Sequence, residues 1–176
     1  MKNILLCSGG LDSMVIYHTM KEEIDECIYI KYRGEHPATL RELEVIKKEG
    51  IDIRVINIDD LQCDDVGFYN GRNLKFILTI RELYINEDIT VFVGNTANDN
   101  FNDNTRLFFY KLEDVINNSY SKKIRIVCPL ENYTKKSIVS LAKKANINFY
   151  FCDKGNKEPC MKCHSCKAMA DCGYFG

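Results

Sequence analysis

The sequence predicts an α/β protein, a parallel five-stranded sheet covered by helices on both faces, followed by a small metal-binding segment. Three observations predict it. Five short apolar runs without strong polar alternation are separated by helical patterns, as in strands buried on both faces. Unusual polar residues gather directly after those runs, where open α/β sheets bind their ligands. Beyond Tyr150 the alternation stops, and Cys152, Cys160, Cys163, Cys166 and Cys172 crowd the last 25 residues.

The elements follow in order. Ile4–Cys7 is the first strand, and Ser13–Lys21 is a helix with Met14, Ile16, Tyr17 and Met20 apolar. Cys27–Ile30 is the second strand. Thr39 to Lys48 is helical, with Thr39 and Glu42 spaced as a capping box and Gly50 as a stop. Ile51–Ile58 alternates through Ile53 and Val55 as the third strand, and Leu74–Ile85 is the next helix. Thr90–Val93 is a strand ending at Gly94, and Asp103–Ile116 a helix. Ile124–Val127 is the fifth strand, closed by Cys128-Pro129, and Thr134–Ala145 a helix with Thr134 as its N-cap. The polar segments after the five strands are Ser8–Ser13, Lys31–His36, Asp59-Asp60, Gly94–Asp103 and Pro129–Lys135.

A length of 176 residues suits one domain, 1–150, with 151–176 as a metal-binding segment packed on it. At 45% hydrophobic and 28% charged, the chain can bury a real core. The net charge of -1 gives no global basic field, so direct nucleic-acid binding is not expected. No apolar stretch approaches the roughly 20 residues of a membrane helix. The first apolar run ends at Cys7, too soon for a signal peptide, and the protein reads as cytoplasmic. Cys7, Cys27, Cys63 and Cys128 read as small buried hydrophobes.

The most informative stretch is Ser8-Gly9-Gly10-Leu11-Asp12-Ser13, between the first strand and the first helix. Two glycines let the backbone turn tightly and bring its N–H groups close to an anion at the positive end of the helix. Ser8 and Ser13 add hydroxyl donors, and Leu11 anchors the turn from inside. The lysine of a Walker A loop is missing, which suits a pyrophosphate that leaves as a unit. Elsewhere the residues leave two readings each. Tyr32 and His36 either face a ligand or close a loop. Arg72, in Gly71-Arg72-Asn73, either offers its donor fork to a carboxylate or phosphate or is a solvated helix end. Asp99 and Asp103 could hold Mg2+ or a heterocycle, and Asp103 could equally be a helix N-cap. Lys135, at a helix start, either reaches a phosphate or lies on the surface.

Cys152, Cys160, Cys163 and Cys166 follow C-x7-C-x2-C-x2-C. In a cytosolic chain such crowding points to metal before disulfides. Four thiolates make a closed structural zinc site, stapling a tail too short to hold itself by burial. An iron–sulfur cluster is the rival.

The hexapeptide resembles the PP-loop of N-type ATP pyrophosphatases, whose fold is the Rossmann-like sheet of the adenine nucleotide alpha hydrolases. In order, the PP-loop, Tyr32-Arg33-Gly34-Glu35-His36, Gly71-Arg72-Asn73, the segment Gly94–Asp103, Pro129-Leu130 with Thr134-Lys135-Lys136, and the cysteine cluster resemble the 7-cyano-7-deazaguanine synthase (QueC) family. The resemblance spans nearly the whole chain. It implies an ATP-dependent ligase that turns 7-carboxy-7-deazaguanine and ammonia into 7-cyano-7-deazaguanine (preQ0), a queuosine precursor, through an adenylated carboxylate and an amide. It further implies ATP on Ser8, Gly9, Gly10, Leu11, Asp12 and Ser13 with Mg2+ alongside, and adenine near the end of the second strand. Asp12, Arg72, Asp99 and Lys135 take the catalytic roles, and Tyr32, His36, Arg72, Asn73, Asp99 and Asp103 meet the substrate. Zn2+ on the four cysteines and a homodimer complete the picture.

Departures are local. The chain is shorter than typical members, mainly between the third strand and Gly71. Asn70 stands where the family has proline, Phe101-Asn102-Asp103 where it often has Tyr-Pro-Asp, and Lys167-Ala168-Met169 where arginine commonly follows the last metal cysteine. A divergent ligase that stops at the amide or acts on another carboxylate is the alternative. So is a tRNA sulfur-transfer enzyme of the same fold, although residues 94–103 lack the cysteine it would use. A non-catalytic nucleotide-binding module is a third.

Overall fold

The structure, a computed structural model, describes residues 1–58, 61–64, 69–97, 99 and 101–175. Asp59 and Asp60, expected to follow the third strand, and Asn98 and Asn100 of the long polar segment lie outside the described residues.

Five strands, β1 (Lys2–Leu6), β2 (Glu26–Lys31), β3 (Ile53–Asn57), β4 (Ile89–Phe92) and β5 (Ile124–Val127), form one sheet in the order β3-β2-β1-β4-β5. All four pairings are parallel. The helices are α1 (Leu11–Met20), α2 (Pro37–Lys48), α3 (Arg72–Leu83), α4 (Arg106–Ser119), α5 (Lys135–Lys144) and α6 (His164–Asp171). Neighbouring strand residues point to opposite faces. Leu5, Cys27, Tyr29 and Phe92 therefore pack under α1, α2, α5 and α6. Ile4, Ile28, Val91 and Ile124 pack under α3 and α4. The chain runs outward from β1 to β3, then returns to place β4 on the other side of β1. The crevice at the carboxyl end of β1, where the order reverses, is the natural ligand site of such a sheet.

Element types and order agree with the sequence reading, and the caps correct it. The helix after β2 starts at Pro37, whose fixed φ suits the first helical position. Its N-cap is His36, whose Nδ1 accepts from the Ala38 N–H at 3.2 Å. The Thr39–Glu42 capping box does not form, because Thr39 is buried inside the helix and the Glu42 carboxylate turns to Tyr29 and Arg33. α4 starts at Arg106 on the cap Thr105, not at Asp103. Asp103 instead accepts from the Asn73 N–H at 3.0 Å and so caps the start of α3. Thr134 caps α5 as expected, accepting from Ser137 N at 3.2 Å.

The tail holds a helix the sequence pattern did not reveal. α6 is capped by Cys163, whose sulfur accepts from Cys166 N at 3.4 Å. Its Met169 is buried in the core under α1 and α5, and Phe149, Phe151 and Tyr174 pack edge to face beside it. The segment is therefore held by burial as well as by its cysteines. The Tyr150 N–H donates to the Gly9 carbonyl at 2.9 Å, tying the start of the tail to the glycine turn. Of the four scattered cysteines, Cys7 and Cys27 are buried, Cys128 is half-buried, and Cys63 is exposed, contrary to expectation. No described helix is long and apolar enough to cross a membrane.

Candidate active site

The glycine turn leaves β1 and enters α1 within four residues. Gly9 has φ +71°, and a Cβ there would lie 2.7 Å from the Glu42 carbonyl oxygen. Only glycine meets both demands. The Ser13 hydroxyl accepts from the Ser8 N–H at 3.1 Å and donates to the Gly10 carbonyl at 3.1 Å, while the Ser8 hydroxyl accepts from the Gly10 N–H. No side chain caps α1, so its first N–H groups are available to an anion. Gly94, after β4, closes the other wall, since a Cβ there would meet the Asp12 Cβ at 2.8 Å.

Charged groups converge on this turn from distant segments. Lys135 Nζ, in the first turn of α5, donates to both Asp12 carboxylate oxygens at 2.8 and 2.6 Å. Asp99 accepts from Thr96 N at 2.6 Å and Asn104 Nδ2 at 3.0 Å, which folds the loop after β4 back on itself. Burial, with the Asp12 charge behind it, holds the Asp99 carboxyl above the usual carboxylate range against those donors and Lys135. Arg72, first in α3, donates from Nη1 to the Tyr32 hydroxyl at 3.2 Å. At the end of β2, Arg33 Nη2 pairs with Glu42 Oε1 at 2.6 Å, and the Tyr29 hydroxyl donates to Glu42 Oε2 at 2.5 Å.

These groups line a cavity of about 320 Å³ at the carboxyl ends of β1, β2 and β4. It brings together Ser8, Gly10, Leu11, Asp12, Ser13, Tyr32, Arg72, Asn73, Asp99 and Lys135 of the sequence-predicted residues. Gly9 shapes the turn from behind. His36 and Asp103 are not in the lining; each is committed to a helix cap. Sequence reasoning missed Arg33, Glu42, Phe76, Phe101, Asn104 and Asp153. For Arg33 a signal existed, its place between Tyr32 and His36 after a strand. A larger space of about 830 Å³ shares Asp12, Arg72, Asp99 and Lys135 and extends to Cys152, His164 and Met169. Phe101 meets His164 across it, ring centroids 6.0 Å apart.

In the tail the sulfurs of Cys152, Cys160, Cys163 and Cys166 all lie within 4.8 Å of one another, and those of Cys160 and Cys166 are 3.8 Å apart. Sulfurs at about 2.3 Å from a tetrahedral zinc sit roughly 3.8 Å apart, so the donor set fits that ion. The backbone N–H groups of Lys162 and Cys163 draw the Cys160 thiol down to about 6, toward the thiolate a metal needs. All nine cysteines are free of disulfides.

A glycine turn of this kind, at the switch point of a parallel sheet and faced by a lysine–aspartate pair, defines a PP-loop nucleotide-binding protein. The family model described as queuosine biosynthesis protein QueC matches residues 64–173, and the chain belongs to that family. It is 26% identical to a 7-cyano-7-deazaguanine synthase of Campylobacter jejuni over 94% of this chain and 90% of that protein. The synthase of Nostoc punctiforme is 27% identical over 95% and 92%, and that of Thermoplasma volcanium 26% over 94% and 83%. Among solved structures, a Methanocaldococcus jannaschii protein titled a predicted subunit of tRNA methyltransferase shares the fold. Its TM-score is 0.52 at 19% identity, over 81% of this chain and 75% of that one.

Proposed function

We propose that the protein converts 7-carboxy-7-deazaguanine and ammonia to 7-cyano-7-deazaguanine (preQ0) at the expense of ATP. One observation carries this reading. In a QueC-family chain, a lysine-free glycine loop, the Asp12–Lys135 pair and the Arg72 guanidinium open into one cavity at the carboxyl edge of the sheet.

In the proposed reaction the loop N–H groups and the Ser8 and Ser13 hydroxyls hold the ATP phosphates, and the adenine lies against the end of β2. Mg2+ held by Asp12 would supply charge neutralisation. A substrate carboxylate oxygen attacks the α-phosphorus, the α–β anhydride bond breaks, and pyrophosphate leaves. Ammonia adds to the acyl carbon and loses a proton, and AMP departs with that oxygen, leaving an amide. A second ATP takes the amide oxygen in the same way, and loss of AMP and the nitrogen-bound protons leaves the nitrile. Lys135 stabilises charge on the phosphates, Arg72 grips the carboxylate, Tyr32 and Asn73 bound the heterocycle, and Asp99 orders the loop above it. Zn2+ on the four cysteines is structural, since four thiolates leave no open position. The homodimer and the absence of a nucleic-acid partner belong to the same proposal, resting on the family likeness and a net charge of -1.

The test is incubation with 7-carboxy-7-deazaguanine, ammonia and Mg-ATP, followed by mass spectrometry. Two AMP per nitrile are expected. AMP with amide alone would show a reaction that stops halfway. Absence of nucleotide turnover would overturn the reading.

A further inference from the structure

Arg33 has no role in the reaction described so far. Its side chain is only 10% exposed, yet it lines the ligand cavity. A guanidinium in such a place is tolerated when its donors are used. Glu42 takes one of them, Nη2. The Nε–H is buried and has no partner among the described residues. Arg33 also shares an aromatic neighbour with Arg72: the two guanidinium carbons lie 5.1 and 5.7 Å from the centroid of the Tyr32 ring.

The surrounding charges give this arrangement a direction. Lys135 neutralises Asp12, and Arg33 neutralises Glu42. Among the described residues no carboxylate pairs with Arg72, which donates to the Tyr32 hydroxyl. Around the Tyr32 ring, among the described residues, two guanidinium groups are thus matched by one paired carboxylate, Glu42, and one buried donor is unused, while Asp99 and Asp153 line the same cavity without a bond to either arginine. A carboxylate answers both, because its two oxygens can accept from two guanidinium groups at once.

We propose that Arg33, through the guanidinium donors that Glu42 leaves free, is a second guanidinium of the substrate clamp, binding the anionic group of the acid alongside Arg72 and selecting the acid over its amide. This rests on the function proposed above. The amide formed halfway is neutral and offers a single acceptor oxygen. The clamp therefore grips the acid and loosens at the midpoint. An ATP phosphate carries the same chemistry as a carboxylate, and the experiment separates the two.

Binding of 7-carboxy-7-deazaguanine, its amide and ATP is measured by calorimetry on wild type, Arg33→Lys, Glu42→Gln and the Arg33→Gln/Glu42→Gln double variant. The double variant removes both charges together and leaves no buried ion alone; Arg33→Lys keeps the charge and removes the Nε donor. The double variant is expected to bind the acid at least about tenfold more weakly, with amide and ATP affinity within about twofold of wild type. Glu42→Gln, which keeps Arg33, is expected to bind the acid more tightly than the double variant. Equal losses for acid and amide would mark Arg33 as a structural brace, a loss confined to ATP would assign it to phosphate, and either overturns the proposal. Should the double variant not fold, unchanged acid affinity in Arg33→Lys overturns it. If wild type binds neither acid nor amide, the underlying function falls and this inference with it; if wild type binds the acid and the double variant binds it equally, only the Arg33 assignment falls.

Discussion

Gly9 and Asp99 show two ways in which single residues fit a site at some cost to the fold. A methyl at Gly9 would press on the Glu42 carbonyl in a backbone conformation that L-residues rarely adopt. Gly9→Ala is expected to lose about 1–3 kcal/mol of stability and to abolish ATP turnover, as checked by urea unfolding and AMP release. Asp99 is subtler. Burial raises its native pKa above the ordinary value. Its contribution to stability is full below the ordinary carboxylate range and is lost as pH rises through the raised native value. Asp99→Asn keeps an oxygen for the Thr96 N–H and removes the charge. The variant should melt higher than wild type at neutral pH, with the gap closing toward about pH 4, while its turnover falls. A gap that stayed constant with pH would show that ionisation of Asp99 does not burden the fold.

At the scale of elements, Arg81 near the end of α3 is fully buried and donates to the backbone carbonyls of Tyr84, Glu87 and Lys123, the last two at 2.6 and 3.1 Å. It fastens α3 to the turns that enter β4 and β5, at the end of the sheet away from the cavity. Arg81→Met strands those carbonyls and should cost about 2–4 kcal/mol in denaturant unfolding, with turnover per folded molecule preserved. Caps were the least legible feature of these elements. Pro37 did mark the true start of α2, but the Thr39–Glu42 spacing imitated a capping box one turn further on. Asp103 resembled a cap for its own helix, and its partner is Asn73, 30 residues earlier, a contact that only the tertiary fold creates. α6 was hidden because cysteines and small residues carry its pattern instead of an apolar stripe.

For the whole molecule, the alternation of strands and helices was legible because the inner strands β1, β2 and β4 are apolar runs packed between two helical layers and each helix follows a polar turn, while the edge strand β3 stays half-exposed. The glycine loop, Arg72 and Lys135 could be placed because ligand residues must follow strands in such a sheet. Arg33 met the same criterion after β2, but Glu42 could not be placed, since its meaning lies in a pairing between a helix and that loop residue. The tail shares the larger cavity with the glycine loop and bonds to Gly9 through Tyr150. With zinc on the four cysteines, as proposed, a chelator should therefore lower both the melting temperature and ATP turnover, and zinc should restore them. Turnover that survives a metal-free tail would show the two regions to be independent. The strand order has a last consequence, for biosynthesis. β1 emerges first from the ribosome but sits mid-sheet, and it waits for β4, more than 80 residues later, to cover its second edge. Lys135, the partner of Asp12, follows 123 residues after it. Nascent chains released before that lysine should fail to retain nucleotide, so that ATP binding reports a sheet already closed on both sides of β1 and contact with the substrate is delayed until that closure.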